Sequence, residues 1–511
     1  MVRASAQLND PQEPWPEESL FNLQRWKIRF LVVAGVSALG YFISWWFVSD
    51  RLSNPWLILL LIAALSYCGL RGFMGWYLFL RCEHPEWIEA PDGLSVDVFI
   101  PTYDESASLV ERTLRAAKAM QYPHRTFLLD DGGREEMEEL ARTLGVGYLR
   151  RRTNRDHKAG NVNHALELTS GEIVAIFDVD HVPDENYLVR SLGPFLDAGI
   201  GFVQVRLDHS NGSESFVANA AAERNDGFFG APLHGMHGCG CPQKFGSNCL
   251  IRRSALETIC GYKPGLAEDL HTSLRLHAEG WRSAYVSESL AKGLEPLELS
   301  AFFIQQYKWA HGVTSLLRDV YPRLSTRFDL KTNICYLWRL TCFVSAPVVA
   351  LCIVATSLVL FSDSKVGMDA YAGFIVHASP LVLVTWLMEV VVSKPFGPEL
   401  GDRGPRMPLA GTLLAFGSWP IYTLAFVSAT LGLKGDFVAT PKERAGTGVR
   451  FVLPQMLAVL VLASAIIHGA SSGFDPATAT VCGFAGLLIM MHSAVFWAYW
   501  SDRSRTGVRA G

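Results

Sequence analysis

Charge is scarce along this chain. Lys, Arg, Asp and Glu make up 18% of its 511 residues while half are hydrophobic, a balance too apolar for an ordinary soluble enzyme. The formal net charge of −4 leaves no basic footprint, so nucleic acid is not an expected partner. The ten cysteines lack the spacing of a disulfide framework. Cys68, Cys335, Cys342, Cys352 and Cys482 lie in or beside apolar stretches, where a thiol behaves as a small hydrophobe. The first 24 residues are polar and rich in Pro and Glu, which is not a signal-peptide pattern. No repeat or low-complexity tract is present.

What the chain does have is long apolar runs. Spans of bilayer length occur near 28–48, 55–76, 340–361, 371–393, 451–469 and 477–499, with a seventh apolar segment at 410–433. Basic residues sort them. Arg25, Lys27 and Arg29 precede the first span, Arg81 follows the second, and Arg323, Arg327 and Lys331 precede the third. The loops 394–408 (Lys394, Arg403, Arg406) and 434–450 (Lys434, Lys442, Arg444, Arg450) are both basic, as is the tail with Arg503, Arg505 and Arg509. The positive-inside rule puts all of these in the cytoplasm. Segment 410–433, interrupted by Pro420, then has cytoplasmic loops at both ends and reads as an interface helix, leaving six crossings.

Residues 93–320 alternate strand and helix patterns, the signature of a mostly parallel α/β sheet. Val96–Ile100 runs into Pro101-Thr102-Tyr103-Asp104-Glu105, and Thr126–Leu129 into Asp130-Asp131-Gly132-Gly133. The run Glu172–Phe177 ends at Asp178-Val179-Asp180. Acids at the carboxyl edge of such a sheet stand where ligands bind, and alternation would aim Asp178 and Asp180 the same way. Hard oxygen ligands suit Mg²⁺ or Mn²⁺ beside a diphosphate. The segment 150–161 adds five cations, Arg150, Arg151, Arg152, Arg155 and Lys158, suited to a nucleotide diphosphate. His234, His237, Cys239 and Cys241 are crowded, but their spacing fits no common structural zinc site. His311 and His492 are isolated and read as packed side chains.

In chain order, Pro-Thr-Tyr103-x-Glu105, Asp130-Asp131-Gly-Gly, Lys158-Ala-Gly-Asn, Asp178-Val-Asp180, Glu268-Asp269 and Gln305-x-x-Lys308-Trp309 resemble the motifs of the processive family-2 glycosyltransferases. These are the cellulose, curdlan and hyaluronan synthases and their relatives. The resemblance implies a cytoplasmic α/β domain of GT-A type, with a mixed, mostly parallel sheet, inserted in an α-helical transmembrane region. The expected layout is an N-terminus with two spans (1–92), the transferase domain with interface helices (93–320), and four spans, the interface helix and a loop (321–511).

The same resemblance implies roles. Tyr103, Glu105, Asp130, Asp131, Lys158, Asp178, Gln305 and Lys308 would bind a UDP-sugar donor, and Asp180 would also be the metal ligand. Asp269 would be the general base, and Trp309, Glu268 and Phe245 would meet the acceptor. Phe437-Val438-Ala439-Thr440-Pro441-Lys442 is similar to a gating loop that closes over UDP, through Phe437, Thr440 and Lys442. Three positions depart from the pattern. Lys308 replaces an Arg, losing bidentate geometry toward phosphate; Ala267 replaces a Thr; Phe245 takes a Cys position, which speaks against cellulose itself. The cyclic-di-GMP-binding domain of many cellulose synthases has no counterpart here, so regulation by that nucleotide is not expected.

The expectation is therefore an inner-membrane, inverting, processive transferase that uses UDP-glucose and Mg²⁺ or Mn²⁺ to elongate a β-glucan, cellulose-like or 1,3-linked, and secrete it through its own helices. The growing polysaccharide and the bilayer are its partners, with room for periplasmic or outer-membrane export partners. Its rivals are a non-processive enzyme adding one sugar to a lipid, a synthase using UDP-GlcNAc or GDP-mannose, and a transporter with a degenerate nucleotide-binding domain.

Overall fold

The computed structural model describes residues 18–48, 55–362, 364–393, 409–435 and 446–507. Phe437, Thr440 and Lys442 fall outside them, as do the basic loops 394–408 and 436–445.

Seven strands form the central sheet: β1 (Val96–Thr102), β2 (Arg125–Asp130), β3 (Gly147–Arg150), β4 (Ile173–Ile176), β5 (Ile200–Val205), β6 (Cys249–Arg252) and β7 (Arg282–Val286). Their order is β3-β2-β1-β4-β6-β5-β7. Pairs β3/β2, β2/β1, β1/β4 and β5/β7 are parallel, while β6 runs antiparallel to both neighbours, giving the mixed, mostly parallel sheet expected. Strands β1, β4 and β5 are buried along almost their whole length because helices cover both faces, as parallel sheets require. One face packs Val98, Ile100, Leu128, Ala175 and Phe177, the other Phe99, Leu129, Val174 and Ile176. Helix Ala107–Lys118 buries Val110, Leu114 and Ala117 at the 3–4 spacing of an amphipathic helix.

Among the described residues, five helices are long and apolar enough to cross a membrane: Trp26–Trp46, Cys342–Phe361, Lys365–Val392, Leu453–Ser472 and Pro476–Ser504. Pro55–Leu80 forms a 26-residue helix. Segment 410–433 is not one helix. It divides into Leu409–Gly417 and Trp419–Thr430, bent by 51°. The break has a local cause, since Pro420 offers no N–H and crowds the preceding turn, and Ser418 Oγ turns back to donate to Leu414 O at 2.6 Å. Helix Leu299–Asp319 packs against Trp419–Thr430 and so ties the sheet domain to the membrane helices. The flanks of 436–445 are held at this same helix and its N-cap. His311 Nε2 lies 3.1 Å from Leu433 O, and Gly446 N–H donates to Glu298 Oε2 at 2.8 Å.

Candidate active site

The carboxyl ends of β1, β2 and β4 open into one cavity of about 1830 Å³. At β2 the two acids divide the work. Asp130 is fully buried; it accepts from Gly132 N–H (2.9 Å), Arg134 N–H (2.7 Å) and Tyr148 O–H (2.9 Å), which fixes the turn. A Cβ at Gly132 would stand 2.1 Å from Tyr103 O, so only glycine lets this turn lie against β1. Asp131 reaches the cavity wall and pairs with Arg151, whose Nη2 donates to Oδ2 at 2.7 Å. Glu105 accepts from Tyr103 N–H and Thr102 O–H, each at 2.8 Å, and holds Tyr103 at the rim.

Beyond β4 the chain turns at once, with His181 N–H donating to Asp178 O at 2.8 Å. This turn, rather than strand alternation, brings both Asp178 and Asp180 to the cavity: β4 ends at Ile176, before either acid. Lys158 binds Asp178 and also donates to Gly246 O at 2.5 Å. Burial opposes the Lys158 charge, but Asp178 and Glu268 outweigh it and hold the ammonium above the ordinary lysine range.

On the opposite wall, helix Glu268–Ala278 begins with Glu268 and Asp269 facing the cavity. Burial, reinforced by the Asp269 charge, pushes the Glu268 carboxyl up to about 7, against the pull of Lys158. Gln305, Lys308 and Trp309 enter from helix Leu299–Asp319. Behind them the buried Gln306 Oε1 accepts from Arg224 Nη1 (2.7 Å) and Tyr422 O–H (2.8 Å), linking three helices under the site. The cavity continues between Arg71, Trp338, Arg339, Phe343, Trp386 and Glu389 toward the membrane helices.

The family described as "Glycosyltransferase like family 2" matches residues 91–312, and "Cellulose synthase" matches 257–394. Residues 91–312 are a family 2 glycosyltransferase domain. Over 325 residues the chain is 34% identical to the cellulose synthase catalytic subunit (UDP-forming) of Pseudomonas fluorescens, covering 62% of this chain and 42% of that one. Over 393 residues it is 32% identical to the cellulose synthase 1 catalytic subunit (UDP-forming) of Komagataeibacter xylinus, covering 73% and 51%. The chain thus spans about half, or less, of these relatives' length. Among solved structures, the mannosyltransferase PcManGT of Pyrobaculum calidifontis, in complex with GDP-Man and Mn²⁺, aligns over 66% of this chain and 95% of that one, at 18% identity and a TM-score of 0.44.

The glycosyltransferase domain thus gathers Tyr103, Glu105, Asp131, Lys158, Asp178, Asp180, Phe245, Glu268, Asp269, Gln305, Lys308 and Trp309 around one cavity. Asp130 is the exception, a carboxylate spent beneath the wall on its own turn. His234 and His237 do not assemble with the neighbouring cysteines into a three-ligand group, and none exists among the described residues. Burial pushes both imidazoles below the ordinary histidine range, and His234 Nδ1 sits 2.8 Å from Gly230 O. His311 and His492 are packed, as expected.

Sequence reasoning misses Arg224, Gln306 and Lys244. Gln306 sits inside the Gln-x-x-Lys-Trp string, so its neighbours were a usable signal. Lys244 is fully buried with its ammonium 4.6 Å from the Tyr262 ring, and nothing in Gln243-Lys244-Phe245 announces a buried cation.

Proposed function

We propose that the chain is a processive, inverting β-glycosyltransferase that takes glucose from UDP-glucose on the cytoplasmic side of the inner membrane and passes a β-glucan between its own helices. One observation carries the reading. A single cavity begins at the strand-end acids, passes Asp269 and Trp309, and continues to helices Pro55–Leu80 and Lys365–Ser393. A donor site for single transfers to a soluble acceptor has no use for that extension.

In this reading the uracil and ribose lie near Tyr103 and Asp131, with Lys158, Gln305 and Lys308 around the diphosphate. Asp269 accepts the acceptor hydroxyl proton as that oxygen attacks the anomeric carbon, and the carbon–oxygen bond to UDP breaks on the opposite side. One displacement inverts the centre. Glu268, its carboxyl pushed up to about 7 by burial and by the Asp269 charge, can offer the acceptor a hydrogen-bond donor in its protonated form. Trp309 presents a flat apolar face for a pyranose ring. The donor set fits Mg²⁺ or Mn²⁺: Asp178 and Asp180 are hard carboxylates on one turn, and Lys158 bonds to one Asp178 oxygen, leaving the other. Both acids would hold the ion, which neutralises diphosphate charge when bound.

The orientation rests on the basic loops, and the bend at Ser418 supports a segment 410–433 that enters and leaves on one side. Asp402→Cys and Asp436→Cys, in a background without native cysteines, should be labelled from the cytoplasm only; external labelling of either contradicts this topology. The reaction itself is tested by incubating the purified full chain with UDP-glucose, UDP-GlcNAc and GDP-mannose. Long polymer sensitive to β-glucanases, made from UDP-glucose alone, is the expected result. Single-sugar products overturn processivity, and absence of UDP release with every donor overturns transfer.

A further inference from the structure

Behind the aromatic wall of the cavity lies a group of side chains that glycosyl transfer does not use. Phe228, Phe245 and Trp338 line the cavity, and they pack in one apolar cluster with Cys239, Cys241 and Cys335. The three cysteines back this wall and are not among the residues that line the cavity. All three are free thiols. Cys239 and Cys241 flank the left-handed turn at Gly240 (φ +76°), and both are hydrogen-bonded to Cys335, which arrives on helix Leu330–Leu340.

The thiols are not equivalent. Cys241 and Cys335 are buried, whereas Cys239 is half-buried and within reach of a small solute. The Cys335 hydrogen bond pulls Cys239 below the ordinary thiol range against its partial burial, helped by Tyr77 O–H and by the Arg81 and Lys331 charges. Its contacts with Cys239 and Cys241, together with burial, hold Cys335 protonated well above that range. Structural buried cysteines are inert, but an accessible thiol with thiolate character beside a second thiol is the arrangement of an oxidisable pair. Among the described residues no three such groups are placed to hold a metal ion, which leaves the thiols to react with one another.

We propose that Cys239 and Cys335 form a modification site, a dithiol that a hydroperoxide converts to a disulfide and that in this form slows passage of the glycan. The Cys239 sulfur attacks the O–O bond of hydrogen peroxide. That bond breaks, the sulfur keeps one oxygen as a sulfenic acid, and the other oxygen leaves as water with the Cys239 proton. The Cys335 sulfur then displaces the sulfenic hydroxyl, which departs as a second water with the Cys335 proton. Two thiols and one peroxide thus give one disulfide and two waters, the sulfurs being oxidised and the peroxide reduced. In a reducing cytoplasm such a bridge is transient, which suits a sensor rather than a permanent staple. It would tie the segment leading into Phe245 to the helix that carries Trp338 and Arg339, fixing two walls of the acceptor path at one spacing. That consequence rests on the glycan-transferring reading above, whereas formation of the bridge does not.

The test treats the purified full chain in detergent with hydrogen peroxide, alkylates the remaining thiols and maps disulfide-linked peptides by mass spectrometry. A Cys239–Cys335 bridge is expected, with turnover of UDP-glucose slowed several-fold, UDP affinity unchanged, and full recovery on adding dithiothreitol. Cys239→Ser, at a half-buried position, should fold, bind UDP and lose both the bridge and the slowing. Cys335→Ala should instead accumulate Cys239 sulfenic acid, trapped by dimedone, with no slowing. No bridge, a bridge that joins Cys241 in place of either partner, or a bridge that leaves turnover unchanged would overturn the proposal. A rise in thiol reactivity when a chelator is added to the untreated chain would also overturn it, by making the trio a metal site. Absence of turnover before oxidation sinks the transferase reading instead, and the peptide map still decides the thiol pairing.

Discussion

At the donor end of the cavity two cations lie on acids, Arg151 on Asp131 and Lys158 on Asp178. At the membrane end Arg339 lies on two phenylalanines and a thiol, with no ion pair among the described residues. The donor end is preorganised by internal ion pairs, which in the proposed reading phosphate and metal would replace. The membrane end holds Arg71 facing Glu389, and Arg339 without an ion pair among the described residues. The difference suggests that a site's specificity is written most clearly where its charges are not yet balanced.

The largest effect should come from breaking the donor end. Asp180→Ala should reduce turnover by roughly 10³-fold or more, near the upper range for removing a transition-state electrostatic contact, and UDP affinity should stop responding to added Mn²⁺. A metal response that persists in this variant would show that the ion is held elsewhere. A smaller loss should follow from cutting the brace behind the acceptor wall. Gln306→Leu deprives Arg224 and Tyr422 of their shared acceptor, at a cost of about 1–3 kcal/mol for buried donors left unsatisfied. Its thermal unfolding midpoint should therefore drop; an unchanged midpoint would mean that water replaces the amide.

The smallest effect is the one with a definite pH signature. Glu268 has a carboxyl raised from 4.5 to about 7 in the folded chain. Between those values the unfolded chain releases a proton that the folded chain keeps, so folded stability falls as pH rises, and the loss is complete above 7. Glu268→Gln should accordingly raise the unfolding midpoint at pH 8 and leave it nearly unchanged at pH 4. A larger gain at pH 4 than at pH 8 would reverse the assignment of which acid keeps the proton.

Much of the donor end is legible in the sequence, because strand-end acids and glycines sit next to each other along the chain. Two details were not. Asp130 and Asp131 look equivalent as a string, and only the turn shows that one is spent on backbone N–H groups. Asp178 and Asp180 look like strand neighbours, yet they reach the cavity from a turn. The membrane end is almost silent in sequence. Arg71, Phe228 and Arg339 come from three helices far apart in the chain, and each alone resembles an ordinary interfacial residue. The bend at Ser418 is announced by Pro420, but its 51° angle is not.

The most direct test of glycosyl transfer in this cavity is Asp269→Asn, measured for UDP affinity and for turnover of UDP-glucose on the same preparation. The substitution keeps size and removes basicity. UDP affinity within about twofold of the parent, with turnover lower by roughly 10²-fold or more, is the expected result for a lost general base. Turnover near the parent's, with UDP bound normally, would contradict Asp269 as the base and with it the placement of the reacting hydroxyl.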